Sequence, residues 1–252
     1  MPQRTSYPQG TPNWAELRTT DPRGARSYYG RLFGWDFADT PQDGYTLAVL
    51  DGEVVAALTT GTGPAWHVYL AVDDVDTVAE AVPGAGGIVL EAPADAGPAG
   101  RAAVVRDPTG AEVGLWQAGR RPGAGLVGEP GTVAWNELLT GDVEAAVRFY
   151  QRIVGLAPEA VELDPALGGV RWSMLKAGGV PVAGVVPDPA PEAPARWNVY
   201  FGTDDIAASA DRATALGGTL LLAPTETPIG PMAGVRDPQG APFSLWTPRI
   251  PG

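Results

Sequence analysis

The sequence predicts a duplicated α+β fold, in which two similar units follow one another along a chain of 252 residues. A long stretch, "WAELRTTDPRGARSYYGRLFGW" (14–35), aligns without a gap with "WNELLTGDVEAAVRFYQRIVGL" (135–156). In the second copy, apolar residues recur at helical spacing behind an aspartate. Turn signals separate the short apolar runs elsewhere, and runs of that length favour strands. Together these observations predict both helices and strands in each unit.

Two further pairs of segments extend the repeat over almost the whole chain. "WHVYLAVDD" (66–74) matches "WNVYFGTDD" (197–205), and "VRDPTGAEVGLW" (105–116) matches "VRDPQGAPFSLW" (235–246). We therefore expect one unit over 12–117 and another over 132–247. The segment between them, 118–131, is rich in glycine and proline and is interpreted as a linker.

Each unit begins with a strand that carries the pattern W-x-E-L, followed by a helix. Asp21 and Asp142 are suited to cap the helix N-terminus. Gly34 and Gly155 stand where a helix C-terminus favours glycine. Aromatic residues on these helices are expected to pack between helix and sheet.

Strand pairs are predicted next, at 45–50 with 53–60 and at 171–176 with 180–186. Their turns, Asp51-Gly52 and Gly178-Gly179, are typical of hairpins. The W-(H/N)-V-Y strand then opens a second round: a helix that ends near Gly84 or Gly217, and two strands joined at a D-P-x-G turn. Unit two is longer at 157–170 and 187–195, and both stretches are predicted to be loops.

Composition excludes several classes of protein. The net charge is −12, which argues against a binding site for nucleic-acid phosphates. No apolar run approaches the ~20 residues of a membrane helix, and the N-terminal residues lack the apolar centre of a signal peptide. The absence of cysteine excludes disulfides and thiolate zinc sites. A cytoplasmic protein without a nucleic-acid or membrane partner is expected.

The segments "TTDPRGARSYYGRLFGW", "HVYLAVDDV" and "RDPTGAEVGLW", with their twins, resemble the vicinal oxygen chelate superfamily, which includes glyoxalase I, bleomycin-resistance proteins and extradiol dioxygenases. Within it, the chain is most similar to two-unit actinobacterial proteins labelled as a 27 kDa antigen or hydroxylase-like. The resemblance implies two βαβββ modules per unit, forming a curled sheet whose concave cup holds a ligand. It also implies a monomer with an internal pseudo-dimer, or a homodimer.

The resemblance further implies where a metal would be bound, on three strands of a unit. The corresponding positions are Trp14, His67 and Gly114 in unit one and Trp135, Asn198 and Ser244 in unit two. Of these, His67 alone is a usual metal ligand, and it is the single histidine of the chain. The sequence therefore favours a cup without a metal cofactor.

A displaced metal site is the alternative. Glu16, His67 and Glu112 could supply two carboxylates and one imidazole to a divalent ion such as Fe, Mn, Ni or Zn. However, Glu137 repeats Glu16 in a unit that has no histidine, which favours another role for Glu16 inside the cup.

Strand alternation predicts which side chains face each cup. The first cup is expected to carry Trp14, Glu16, His67, Tyr69, Glu112, Gly114 and Trp116; the second, Trp135, Glu137, Asn198, Tyr200, Pro242, Ser244 and Trp246. Aromatic walls with a few polar groups are typical of small-molecule sites. Gly114 and Ser244 are small, which is expected to leave room for a ligand, although the tryptophans could equally fill the cups as core.

Three functions compete at this point. The favoured hypothesis is metal-free binding of a small hydrophobic or aromatic molecule, for resistance, sequestration or secondary metabolism. The alternative is an enzyme, a lyase, isomerase or oxygenase, that uses Glu16 and His67 for acid–base chemistry or the displaced metal site. The third is a structural role with filled cups. Arg106 and Arg236 are interpreted as structural or ion-pair residues.

Overall fold

The computed structural model describes residues 3–162, 171–190, 192–227 and 229–248. The first unit runs in the order β1 Pro12–Thr19, α1 Pro22–Phe33, β2 Asp36–Asp39, β3 Tyr45–Leu50, β4 Glu53–Thr60, β5 Ala65–Ala71, α2 Val75–Ala81, β6 Ile88–Asp95, β7 Gly100–Arg106 and β8 Glu112–Ala118. The second unit runs β9 Val133–Thr140, α3 Val143–Val154, β10 Ala157–Glu162, β11 Arg171–Ala177, β12 Val180–Pro187, β13 Arg196–Gly202, α4 Ile206–Ala215, β14 Thr219–Thr225, β15 Met232–Arg236 and β16 Pro242–Trp246.

Each unit forms one eight-stranded sheet made of two βαβββ modules. The strand order is β2-β3-β4-β1-β5-β8-β7-β6 in the first unit and β10-β11-β12-β9-β13-β16-β15-β14 in the second. The two modules meet where β1 pairs antiparallel with β5, and where β9 pairs antiparallel with β13. The tandem α+β fold with two modules per unit is therefore confirmed.

The helix boundaries follow the predicted caps. The side chain of Asp21 accepts a hydrogen bond from the backbone N–H of Gly24, and Asp142 does the same for Ala145, at 2.9 Å in both cases. Gly34 and Gly155 end these helices in the left-handed conformation. Capping satisfies backbone groups that the helix itself leaves unpaired, so α1 and α3 begin and end where the sequence indicates.

Four strands were not recognised in the sequence. β2 and β6 lie at the two edges of the first sheet, and β10 and β14 at the edges of the second. The prediction of a loop over 157–170 is wrong for Ala157–Glu162, which pairs antiparallel with β11; residues 163–170 lie outside the described residues. Edge strands bury little side-chain surface and so lack the alternating pattern by which strands are recognised.

The two units pack through aromatic side chains of their helices and central strands. The Phe33 ring of α1 lies 4.8 Å from the Phe201 ring of β13, and the Tyr29 ring lies 5.8 Å from that of Phe243 on β16. A Cβ built on Gly218 would meet the Tyr28 hydroxyl at 2.6 Å, and one on Gly87 would meet the Phe149 ring at the same distance, so glycine at each position admits the helix of the other unit. None of the described helices has the length and apolar character needed to cross a membrane.

Candidate functional site

The concave face of the first sheet encloses a cavity of about 920 Å³. Its wall includes four aromatic side chains, Trp14, Tyr45, Tyr69 and Trp116. The same wall carries the charged side chains Glu16, Arg18, Glu91, Asp95 and Arg121. The volume lies in the upper part of the range of small-molecule sites, about 300–1,000 Å³. The cup of unit one is therefore hollow and has mixed aromatic and charged walls.

Strand register places an acidic side chain on the concave face of the first sheet. Glu16 on β1 is the Cα partner of His67 on β5, and Trp14 is the partner of Tyr69. Because side chains alternate along a strand, Trp14 and Glu16 share the concave face. The tryptophan Trp14 is only 7% exposed and yet lines the cavity. It is both a packed residue and part of the wall.

Glu16 is a buried carboxyl group, 8% exposed, and it shares the cavity wall with the hydroxyl-bearing side chains of Tyr45 and Tyr69. Burial raises the pKa of Glu16 above its usual value, against the opposing effects of the two hydroxyls and of Arg18. Burial, followed by the negative charge of Glu16, raises the pKa of both tyrosines as well. The cluster therefore holds one carboxyl group of raised pKa and two phenols that remain protonated at pH 7.

Tyr45 and Arg121 were missed by sequence reasoning. Tyr45 belongs to a strand that was recognised, but "YTLAVL" has almost no polar residue to mark its exposed face. Arg121 belongs to the segment interpreted as a linker, and its guanidinium lies 5.6 Å from the Trp14 ring centre. Ala124 in the same segment is 2% exposed, so this segment is packed against the cup.

From the sequence, we expected the small residue Gly114 to leave room for a ligand. In the structure, the Tyr69 ring fills that space. A Cβ placed on Gly114 would lie 2.0 Å from the Cδ1 atom of Tyr69. The tyrosine ring therefore occupies the space beside β8 that a longer side chain at position 114 would need. Glycine at position 114 thus allows the Tyr69 ring to lie against β8.

His67 and Glu112 are not among the residues that line the cavity, as far as the chain is described. Burial, followed by the charge of Arg18, lowers the pKa of His67 from 6.5 to about 4, so the imidazole is neutral at pH 7. Its Nε2 atom is buried without a hydrogen-bond partner among the described residues. Glu112 accepts a hydrogen bond of 2.7 Å from Arg106, which confirms the ion-pair interpretation of that arginine.

The residues do not fit the divalent metal that the fold family can carry. Across the described ranges, no three His, Asp or Glu side chains converge to hold a metal ion. The displaced site is not assembled in this structure: Glu16 lines the cavity with Tyr45 and Tyr69, whereas Glu112 pairs with Arg106. At the positions of the usual ligands stand Trp14 and Gly114, which offer no suitable donor.

The second sheet repeats the arrangement around Glu137. Tyr200 donates a hydrogen bond of 2.5 Å to Glu137, and the indole N–H of Trp135 donates one of 3.3 Å to the same carboxylate. Burial raises the pKa of Glu137. Asn198 donates a bond of 2.9 Å to the hydroxyl of Ser244, so these two side chains satisfy each other.

The tryptophans near the ends of β8 and β16 are equivalent. The indole N–H of Trp116 donates to the carbonyl of Arg121 at 2.9 Å, and that of Trp246 donates to the carbonyl of Ile229 at 3.1 Å. Each hydrogen bond ties a loop to its sheet. Trp116 also lines the first cavity.

Comparison with known proteins agrees with this geometry. The model of the Glyoxalase/Bleomycin resistance protein/Dioxygenase superfamily matches residues 132–245, and that of the Glyoxalase-like domain matches residues 14–116. The chain belongs to the glyoxalase/bleomycin resistance/dioxygenase superfamily. Within this superfamily, it is 45% identical to the Mycobacterium bovis protein named "Putative glyoxylase CFP32", over 98% of both chains.

Two other members extend the comparison. The chain is 36% identical to the anthracycline biosynthesis protein DnrV of Streptomyces peucetius, over 96% of this chain and 94% of DnrV. The crystal structure of the 2,3-dioxygenase LapB from Pseudomonas sp. KL28 has a TM-score of 0.69 and 14% identity, covering 98% of this chain and 96% of LapB. At 14% identity, the similarity to LapB shows only that the two proteins share a fold.

Proposed function

We propose that the first cup binds a small molecule built of fused aromatic rings, without a metal ion to anchor it. The observation that carries this proposal is the cavity of about 920 Å³ with four aromatic side chains around one buried carboxylate. Indole and phenol rings supply large flat apolar surfaces, and stacking on them favours a flat ligand. The few polar groups on the wall would orient it.

The relatives support the same class of ligand. DnrV and the similar DauV of a Streptomyces species, 35% identical, are described as anthracycline biosynthesis proteins. We infer that this chain also handles an aromatic product or intermediate of secondary metabolism, whether to carry it, sequester it or transform it. A cytoplasmic site of action accords with this role.

A titration with 2-hydroxyanthraquinone tests the proposal, because this probe has three fused rings and a hydroxyl that is not placed to chelate metals. Quenching of the intrinsic tryptophan fluorescence reports binding. We expect saturable binding of one probe molecule that is unchanged after dialysis against EDTA. Absence of binding, or its loss on chelation, would overturn the proposal.

Equivalent tryptophans of the two sheets provide matched variants. Trp116→Leu removes a ring from the cavity wall, whereas Trp246→Leu removes its equivalent from the other sheet, with the loss of one comparable hydrogen bond in each case. We expect about tenfold weaker binding for the first variant, in line with an aromatic contact of about 1 kcal/mol and its buried area. The second should bind as the unaltered protein does; equal loss in both variants would argue against the first cup.

A further inference from the structure

The polar centre of the first cavity is a carboxyl group between two phenols. Glu16 comes from β1, Tyr45 from β3 and Tyr69 from β5, and all three side chains line the cavity. Both hydroxyls lie close enough to the Glu16 carboxyl group to lower its pKa, and a phenol hydroxyl can donate to a carboxylate. Three different strands thus bring one base and two hydrogen-bond donors to a single point on the cavity wall.

The direction of these hydrogen bonds is set by a neighbouring indole. The Nε1–H of Trp14 donates to the hydroxyl oxygen of Tyr45 at 3.2 Å. An indole can only donate, so Tyr45 accepts this bond and its own proton is free to point at Glu16. The hydroxyl of Tyr45 is therefore held as a donor beside the carboxylate.

This arrangement suits chemistry in which negative charge moves over a short distance. While Glu16 is ionised, the hydroxyls of Tyr45 and Tyr69 stabilise its charge. If Glu16 takes up a proton from a ligand, the charge appears on the ligand and the same hydroxyls become available to it. Donors placed in advance, beside a carboxyl group that is only 8% exposed, stabilise such developing charge strongly. Burial also makes Glu16 a stronger base than an exposed carboxylate, because it raises the pKa.

We propose that Glu16 removes a proton from a carbon next to the carbonyl of a fused-ring ketone, while Tyr45 and Tyr69 donate hydrogen bonds to the enolate oxygen. This inference rests on the proposed binding of fused-ring molecules in the same cup. Its substrate class is an enolisable ketone joined to aromatic rings. In this reaction the two phenol hydroxyls stabilise the negative charge on the enolate oxygen, and no metal ion is required.

The step is balanced without an oxidant, a reductant or any other reactant. The C–H bond of the ligand breaks and its proton moves to an Oε atom of Glu16. The electron pair of that bond forms the C=C bond of the enolate, and the π pair of the carbonyl moves to the oxygen. Return of a proton from Glu16 to the same carbon gives exchange with solvent, and its return to a conjugated carbon gives an isomerised ketone.

The second sheet lacks one of the two phenol donors, and Glu137 accepts its second hydrogen bond from the indole of Trp135. In the first sheet, Glu16 pairs with Ala57, which in turn pairs with Leu47. In the second sheet, Glu137 pairs with Gly184, which in turn pairs with Met174. Leu47 and Met174 therefore hold equivalent positions. Two residues before them stand Tyr45 in the first sheet and Trp172 in the second. Glu137 therefore has no counterpart of the Tyr45 hydroxyl, and the reaction is assigned to the first cup.

Solvent deuterium exchange into 2-tetralone tests this inference, because the probe is a ketone fused to an aromatic ring and its C1 protons are observed by proton NMR. Binding of the same probe is measured separately by tryptophan fluorescence. We expect the protein to accelerate exchange, and Glu16→Gln to lower the catalysed rate at least 100-fold. Tyr45→Phe and Tyr69→Phe should each lower it about tenfold or more while the probe still binds.

Two controls separate chemistry from folding. Glu112→Gln removes a carboxylate that lies outside the cavity and should exchange 2-tetralone at the unaltered rate. Glu16→Asp retains the carboxylate and should recover part of the rate lost in Glu16→Gln, so a folding defect common to position 16 is recognised. Circular dichroism of each variant checks the fold directly.

The outcomes distinguish this inference from the proposed binding function. If 2-tetralone binds but exchanges at the uncatalysed rate, or if Glu16→Gln exchanges normally, the proton-transfer inference is overturned and binding stands. Loss of exchange on EDTA treatment would also overturn it, since it would show that an ion stabilises the enolate. If neither 2-tetralone nor 2-hydroxyanthraquinone binds, both proposals fail.

Discussion

Tyr29 on the helix of the first unit donates a hydrogen bond of 2.9 Å to Asp237 on the D-P-x-G turn of the second unit. The indole N–H of Trp66 donates to the same tyrosine oxygen at 3.0 Å. The repeat produces the reciprocal contact, in which Tyr150 donates to Asp107 at 3.0 Å. The helix tyrosine and the turn aspartate of each unit therefore hold the other unit, and the D-P-x-G turns belong to the interface.

Removal of one hydroxyl from this interface should destabilise the protein. Tyr29→Phe leaves a buried oxygen of Asp237 and the Trp66 indole without their partner, and an unsatisfied buried group costs about 1–3 kcal/mol. We expect that loss in the free energy of unfolding, measured by urea denaturation. Tyr150→Phe is the matched variant and should lose a similar amount. A change below about 0.3 kcal/mol in both variants would contradict this account of the interface.

Addition of a single methyl group at Gly114 should displace Tyr69. The new Cβ of Gly114→Ala would lie 2.0 Å from the ring, so the ring or the strand must move. We expect about 1–3 kcal/mol of destabilisation from overpacking, together with weaker binding of 2-hydroxyanthraquinone. Ser244→Ala, at the equivalent position of the second sheet, keeps its Cβ and should leave binding unchanged. Unaltered stability and binding in Gly114→Ala would show that Tyr69 is not held by this contact.

His67 should titrate well below an exposed histidine. Because the chain has one histidine, its imidazole NMR signal needs no assignment by mutation. We expect a midpoint near pH 4, since burial and the charge of Arg18 both disfavour the imidazolium. Arg18→Gln should raise the midpoint, whereas Arg148→Gln, which removes an exposed charge on α3, should not. A midpoint at the ordinary 6.5 would contradict the burial of this ring.

The same shift has a defined sign for stability. The folded-state pKa of His67 lies below that of the unfolded chain, so the unfolded state binds the proton more readily. The contribution of His67 to stability is full above pH 6.5 and is lost as the pH falls towards about 4. Urea denaturation of the protein and of His67→Gln across this interval should show a smaller dependence on pH in the variant.

Glu112 should be dispensable for binding. It lies outside the cavity wall and pairs with Arg106. Both side chains are more than one-third exposed, Glu112 at 35% and Arg106 at 41%. We expect Glu112→Gln to bind 2-hydroxyanthraquinone with unchanged affinity and to lose less than about 1 kcal/mol of stability, as exposed ion pairs do. Strong loss of binding would restore the displaced site that the sequence had suggested.

Much of the fold could be predicted because it rests on local patterns that occur twice. The aspartate caps, the terminal glycines and the hairpin turn at Asp51-Gly52, where both residues have positive φ, act within a few residues of the chain. Duplication made each pattern recognisable by its twin. The edge strands were not recognised because their side chains are largely exposed, so their sequences do not alternate between apolar and polar residues.

The site was predicted in part. Trp14, Glu16, Tyr69 and Trp116 do line the first cavity, as strand alternation indicated. Tyr45 could not be found, because its place beside Glu16 depends on β3 and β4 pairing in register with β1. The pairing of Glu112 with Arg106 could not be predicted either, because it depends on distances between side chains that sequence spacing does not give.

By itself, the sequence determined the duplicated α+β architecture, the family and several side chains that line the first cavity, since alternation and capping depend on neighbours along the chain. The tertiary structure alone decided that Glu16 meets two tyrosine hydroxyls, that Tyr69 fills the space beside Gly114 and that the units join through Tyr29 and Asp237. Those contacts link residues far apart in the chain, and only the register of strands and the packing of helices bring them together.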